Sequence, residues 1–196
     1  MMIEIAALVL LACFYGAYFT KQIMLRRKGI QTNQMGKGEK PKKTRIIETC
    51  LMVATYGNGL IQAASVFLST YMLPVRFPAP LRVAGLAVAA CGVVFFVLAV
   101  VVMRDSWRAG VDETQDTSIV TTGVYKYSRN PAFVGFDLLA IGMALAMPGV
   151  IVWIGAAVCL VCFHLQILEE EKFLPFLFGE EYARYRQSTP RYLLFF

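Results

Sequence analysis

Charge is what this chain has least of. Only 16% of its 196 residues are Asp, Glu, Lys or Arg, whereas soluble domains carry about a quarter. Apolar residues make up 58% and fall in long uninterrupted runs that a soluble core does not need. Histidine occurs once, at His164, and no Ser/His/Asp or Cys/His arrangement for nucleophilic catalysis stands out around it. The five cysteines (Cys13, Cys50, Cys91, Cys159, Cys162) lie within apolar stretches. Cys159 and Cys162 form a CxxC, but no second Cys or His cluster completes a metal site, so they read as small packing residues. No metal is therefore expected. Internal repeats, low-complexity tracts and a soluble basic surface are also lacking, which argues against nucleic-acid binding despite the net charge of +6.

What is present is membrane-length hydrophobicity. A bilayer core about 30 Å thick requires roughly 20 apolar residues per helix. Five segments approach or exceed that length: 3–24, 46–73, 81–103, 131–147 and 148–168. The first has Glu4 before its apolar run and Lys21, Arg26, Arg27 and Lys28 after it, which predicts a retained helix rather than a cleaved signal. Nine Lys and Arg lie in residues 21–45, four in 104–130 and four in 168–196, so 17 of the 19 share one side. By the positive-inside rule that side is cytoplasmic, with the N-terminus outside and the C-terminus inside. The expected fold is an all-α integral membrane protein of about five transmembrane helices, the last two a tight hairpin, with a short cytoplasmic C-terminal helical tail. The basic clusters also favour anionic lipid headgroups.

Residues 26–45 form a polar, Lys-rich loop expected to face the headgroups. Gly57, Asn58, Gly59 and Gln62 interrupt the second apolar segment and read as helix-packing residues, or else as the lining of a lipid-access groove. Three prolines in residues 74–80 predict a short rigid external turn. Only Met147-Pro148-Gly149 separates the fourth and fifth segments. Asp137, two turns into the fourth, is either a functional carboxylate or a hydrogen-bonded interface residue. Beyond Glu169-Glu170-Glu171-Lys172 the fifth helix continues, Gly179 reads as its stop, and residues 180–187 as a second short helix.

Two polar islands adjoin the hairpin. One runs Thr121-Thr122-Gly-Val-Tyr125-Lys-Tyr127-Ser-Arg129-Asn130-Pro131, followed by Phe133 and Gly135; the other is Glu169–Glu171. The hairpin makes the entry of one arm and the exit of the other neighbours, so Arg129, Asn130 and the glutamates are expected to meet at one interface. Carboxylates beside a basic, amide-rich turn suit a zwitterion, Pro131 opens a helix N-terminus suited to a carboxylate, and Tyr125, Tyr127 and Phe133 suit an adenine ring or a sulfonium. From these residues alone, the site binds some polar cofactor.

The stretch Gly-Val-Tyr-Lys-Tyr-Ser-Arg129-Asn130-Pro131-Ala-Phe-Val-Gly135 resembles the G-x-Y-x-x-x-R-H-P-x-Y-x-G motif of the isoprenylcysteine carboxyl methyltransferase family. Glu170-Glu171-x-x-Leu174-x-x-x-Phe178-Gly179-x-x-Tyr182-x-x-Tyr185, with Pro190-Arg191, is similar to that family's second signature, and phospholipid methyltransferases share both regions. The resemblance covers about residues 100–192. It divides the chain into an N-terminal three-helix membrane region (1–103) and a methyltransferase-like cofactor-binding region (104–196). It implies an S-adenosylmethionine-dependent methyltransferase with Tyr125, Arg129, Asn130, Pro131, Phe133, Gly135, Glu170 and Glu171 around the cofactor. The acceptor it implies is lipophilic: a prenylcysteine-like carboxylate, a phospholipid amine or a phenolic lipid. Two departures stand out. Asn130 occupies the family's His position and Phe133 its Tyr, and Asn offers a donor and an acceptor without titrating near neutrality. On the acceptor side, Gln166 aligns with a basic position of carboxylate-methylating members. His164, half a turn away, is a candidate base or else a hydrogen-bonded interfacial residue. The alternatives in other classes are a membrane reductase-like protein using NADPH and a non-catalytic member of the fold.

Overall fold

The computed structural model describes residues 1–30, 32, 35, 40–107 and 118–194. Five helices carry the architecture: α1 (Met2–Arg27), α2 (Lys42–Phe67), α3 (Ala79–Val102), α4 (Pro131–Ala146) and α5 (Val150–Ser188). Four of them, α1, α2, α3 and α5, are long and apolar enough to cross a bilayer. With 16 residues, α4 is about 24 Å long and forms the short fifth arm that its sequence predicts. The apolar part of α5 ends at Leu168; from Glu169 onward the helix lies beyond the membrane-spanning stretch. Seven residues of the expected 26–45 loop, 31, 33, 34 and 36–39, lie outside the described residues. Its described ends show α1 carrying on to Arg27 and α2 beginning at Lys42.

The helix boundaries follow from local chemistry. Glu4 in the first turn of α1 and Arg26 and Arg27 in its last complement the helix dipole. Proline opens both α3 and α4, where a missing N–H costs nothing. α5 spans 39 residues because two helices meet at Gly179, whose φ of 49° is left-handed. Glycine adopts that conformation without the Cβ clash that other residues suffer. The stop expected there is thus a sharp bend, and residues 180–188 form the short second helix.

Packing is closest between α3 and α4. Gly85 and Gly92 on one helix face Gly135 and Gly142 on the other, so the two backbones touch. A Cβ on Gly85 would sit 2.6 Å from the Ala146 nitrogen, one on Gly92 2.6 Å from the Leu139 nitrogen, and one on Gly142 would collide with the Ala89 nitrogen. In a bilayer, where lipid tails are as apolar as the helices, such close approach is the main source of association. Phe14 of α1, Phe96 of α3 and Phe136 of α4 close the gap beside this pair, with ring centroids 4.4 Å (Phe14–Phe96) and 5.2 Å (Phe96–Phe136) apart.

The helix ends away from the Asn130 turn are tied by polar contacts. Val75 N–H donates to Pro148 O (3.1 Å) and Val150 N–H to Leu73 O (3.0 Å), pairing the proline-rich link with the hairpin turn. Arg82 Nε donates to Ala146 O at 2.8 Å. α2 lies along α5, with Asn58 and Gln62 buried and Gly155 of α5 accommodating the Asn58 amide. Tyr15 OH donates to Gln62 Oε1 at 3.4 Å. These amides therefore sit in helix–helix seams, the packing role among the two predicted.

Substituting Gly142 by alanine should destabilise the protein by about 1–3 kcal/mol, as overpacking does, whereas Gly16→Ala, where a Cβ meets nothing within 4 Å, should leave stability unchanged or slightly raised. Thermal unfolding in detergent, followed by tryptophan fluorescence, checks both.

Candidate functional site

Three successive glutamates on α5 point in three directions, because each step along a helix rotates a side chain by about 100°. Glu169 turns toward α2, accepting hydrogen bonds from Thr44 Oγ1 at 2.8 Å and Lys172 Nζ at 2.5 Å. Glu171 turns the other way and is bracketed by two guanidinium groups. Arg129 Nη2 donates to its Oε1 at 2.6 Å, Arg191 Nε to the same oxygen at 3.1 Å, and Arg191 Nη2 to Oε2 at 2.7 Å. Between them, Glu170 faces a cavity of about 240 Å³ and accepts a hydrogen bond from Gln166 Nε2 at 3.0 Å.

The turn before α4 forms the cavity's polar wall, and the tail holds that turn in place. Residues Gly123–Lys126 make one 3₁₀ turn. Tyr185 OH donates to Tyr125 O (2.7 Å), and Arg129 N–H to Pro190 O (2.9 Å). Ser128 Oγ and Asn130 Nδ2 both donate to Arg191 O at 3.1 Å. Arg129 Nη1 adds Thr189 O at 2.5 Å. Arg129 and Glu171 are only 8% exposed, so this pair is shielded from water and its hydrogen bonds are nearly complete.

Electrostatics differ sharply between the two cavity-facing carboxyls. Burial pushes Glu171 up, but its hydrogen bonds to Arg191 and Arg129 outweigh that and hold it below the usual carboxylate range. Burial pushes Glu170 up to about 7; the Gln166 hydrogen bond works against this and the nearby Glu48 carboxylate adds to it. Of the two, Glu170 is thus the carboxyl balanced between its neutral and charged forms near pH 7.

Tyr125, Arg129, Asn130, Phe133, Glu170 and Glu171, six of the residues singled out in the sequence, line the cavity together. Pro131 starts α4 and is buried, and Gly135 gives its face to Phe96, whose nitrogen would lie 2.8 Å from an added Cβ. Gln166 is fully buried and reaches the cavity only through Glu170. His164 lies on the exposed face of α5, its Nδ1 2.7 Å from Tyr192 OH, and is not brought to the cavity. Asp137 is not among the lining residues either, and its Oδ1 is buried without a hydrogen-bond partner among the described residues.

The N-terminal helices supply what sequence reasoning missed. Tyr18 of α1, Met52, Thr55 and Tyr56 of α2, Phe96 of α3 and Trp107 line the apolar side. Their signal was faint: aromatic residues at helix ends look alike whether they face lipid or a cavity. Phe133, Phe136 and Phe163 continue this wall, with centroids 5.5 Å (Phe133–Phe163) and 5.0 Å (Phe136–Phe163) apart.

Apolar helices around a cavity with one polar and one aromatic wall define an integral membrane protein with a site of mixed polar and apolar character. The chain belongs to the phospholipid methyltransferase family, whose model matches residues 81–181, just over half of its length. It is 34% identical over 77 residues to the protein-S-isoprenylcysteine O-methyltransferase of Schizosaccharomyces pombe, covering 39% of this chain and 33% of that relative. With the Homo sapiens protein of the same name it shares 35% over 86 residues, 43% of this chain and 30% of that one. The matched stretch is therefore about a third of these relatives' length. The fold is similar to the solved eukaryotic intramembrane Ras methyltransferase ICMT (isoprenylcysteine carboxyl methyltransferase), with a TM-score of 0.61 and 22% identity over 93% of this chain and 63% of that one.

Arg191→Ala should open the tail from the turn, at a cost of about 1.5–3 kcal/mol for losing hydrogen bonds to a charged group. Hydrogen exchange read by mass spectrometry should show the Arg129 amide, which donates to Pro190 O, losing protection while α3 keeps its own.

Proposed function

We propose that this chain is an S-adenosylmethionine-dependent methyltransferase that methylates a lipophilic acceptor at the membrane surface. The observation that carries the reading is the single cavity that joins Glu170 and the Tyr125–Asn130 turn to an aromatic wall inside the helical bundle. The residues fit the cofactor's chemistry. Asn130 and the turn offer amide and backbone groups, Glu170 offers a carboxylate to a cation, and Tyr125, Phe133 and Tyr182 offer ring faces that attract a sulfonium. Bound there, S-adenosylmethionine would supply an electrophilic methyl group to the acceptor's lone pair and be left as S-adenosylhomocysteine.

The chain's own task is alignment and exclusion of water, which supplies much of the rate in a displacement of this kind. Asn130, held by Arg191 O, orients the cofactor without exchanging a proton. Gln166 acts through Glu170. His164, hydrogen-bonded to Tyr192 on the outer face, is assigned no step. The acceptor enters from the bilayer between the apolar residues of α1, α2 and α4. The relatives' names favour a prenylcysteine-like carboxylate, and the family's name a phospholipid amine. A phenolic lipid is the third class that the same apolar wall accommodates. With 17 of 19 basic residues on one side, the N-terminus lies outside and the cavity faces the cytoplasm.

Titration calorimetry on the detergent-purified protein tests the cofactor: S-adenosylhomocysteine and S-adenosylmethionine should bind and NADPH should not. Retention of NADPH alone would overturn the reading in favour of a reductase. Glu170 adds a pH signature. Below about 7 its carboxyl is protonated and neutral, and above that it carries the charge that a cationic ligand favours. S-adenosylmethionine affinity should therefore rise about tenfold from pH 6 to pH 8, with a proton released on binding at the acid end. Glu170→Gln should remove that slope.

A further inference from the structure

α2 enters the site from outside the family-matched region of residues 81–181, and it brings a buried ion pair. Lys40 Nζ lies 2.8 Å from both carboxylate oxygens of Glu48, with the two side chains 9% and 0% exposed. One turn earlier on the same face, Thr44, 1% exposed, donates to Glu169. One turn later, Leu51 is fully buried against Phe163. The Glu48 face of α2 is therefore applied to the stretch of α5 that carries Gln166 and Glu170. Gln166, 0% exposed, spends its amide N–H on Glu170 and leaves its Oε1 buried without a partner among the described residues.

Isolated charges are not buried without compensation, because removing an ion from water costs several kcal/mol. A carboxylate fixed behind Glu170 would by itself drive a second negative charge away from the cavity. Lys40 neutralises Glu48 and so permits Glu170 to ionise. Gln166 fixes which way the Glu170 carboxylate points. We propose that Gln166 is a positioning residue that holds the Glu170 carboxylate toward the cavity, and that the Lys40–Glu48 pair, applied behind it on α2, governs its charge. This rests on the reading of Glu170 as the carboxylate that meets the cofactor.

Other charged and titratable groups face Glu170 as well. Tyr125 and Arg129 lie on the turn, Glu171 is next along α5, and Tyr182 and Tyr185 line the same cavity. Arg129 is engaged by Glu171 and by backbone carbonyls. The electrostatic influence of α2 on Glu170 has two opposed parts, with Glu48 raising its pKa and Lys40 lowering it.

The test is a titration of the Glu170 carboxyl in the ligand-free protein. It is read as the pH dependence of the protonated-carboxyl infrared band that Glu170→Gln removes. Glu48→Gln, which keeps the size of the side chain, should lower the midpoint by about half a pH unit or more. Lys40→Met should raise it by a similar amount, Gln166→Leu should raise it too, and Lys40→Arg should restore the wild-type value. A purely structural role would lower the melting temperature in these variants and leave the midpoint where it was, and that result would overturn the proposal. The S-adenosylmethionine affinity measured against pH should shift in the same direction as the band. If the band shifts but no S-adenosylmethionine binds, the methyltransferase reading fails while the α2 control of Glu170 stands. If S-adenosylmethionine binds and the band stays fixed in all three variants, the positioning role fails alone.

Discussion

The contact on which the site depends is the bracket of Glu171 by Arg129 and Arg191. It gathers three stretches of the chain: the turn before α4, the middle of α5, and the segment that follows α5. Ion pairs of this kind add little net stability, because desolvating the partners offsets most of their attraction. Their contribution is to uniqueness. With the carboxylate bound on both sides and Arg129 also reaching Thr189 O and Arg186 O, few other arrangements satisfy as many of these groups. The cavity's polar wall inherits that rigidity.

Where the bracket can form is decided deeper in the bundle. The α3–α4 glycine contact brings the start of α4 against Phe96, and the short Met147-Pro148-Gly149 turn returns α5 alongside it. An α4 of 16 residues matched to the apolar part of α5 then delivers Asn130 and Glu170 to the same level. Larger residues in place of these glycines would push α3 off α4 and weaken the support of the turn that carries Arg129, so the apolar and polar halves of the site are not independent.

Much of this was legible in the sequence, for physical reasons. Long apolar runs announce membrane helices because a bilayer imposes their length, and proline and glycine announced the starts of α3 and α4 and the bend at Gly179. The two polar islands met because the hairpin between them is too short to allow otherwise. What could not be read is side-chain direction. The run Glu169-Glu170-Glu171 looks like one acidic cluster, yet the helix sends its members to α2, to the cavity and to the arginines. Glu48 stands at the start of an apolar segment, where an interfacial charge is unremarkable, and only the packing of α2 on α5 reveals it as buried. The face of His164 was equally invisible: its place beside Gln166 in the chain suggested the acceptor side, and the helix turns it outward to Tyr192.

The same division of labour bears on Asn130, which stands where the motif that the sequence resembles has histidine. A titrating group at that position would sit among Arg129, Glu171 and Arg191, where two cations face one carboxylate and an added positive charge is disfavoured. Asparagine fills the position with a neutral donor that Arg191 O accepts, keeping the turn's geometry without adding charge. The carboxyl free to change charge is then Glu170, on α5, where its hydrogen-bond donor is the uncharged Gln166 amide and its pKa lies near neutrality. A site so arranged keeps its arginine–glutamate bracket electrostatically fixed and leaves Glu170 free to adjust, as the proposed exchange of a sulfonium for a thioether requires.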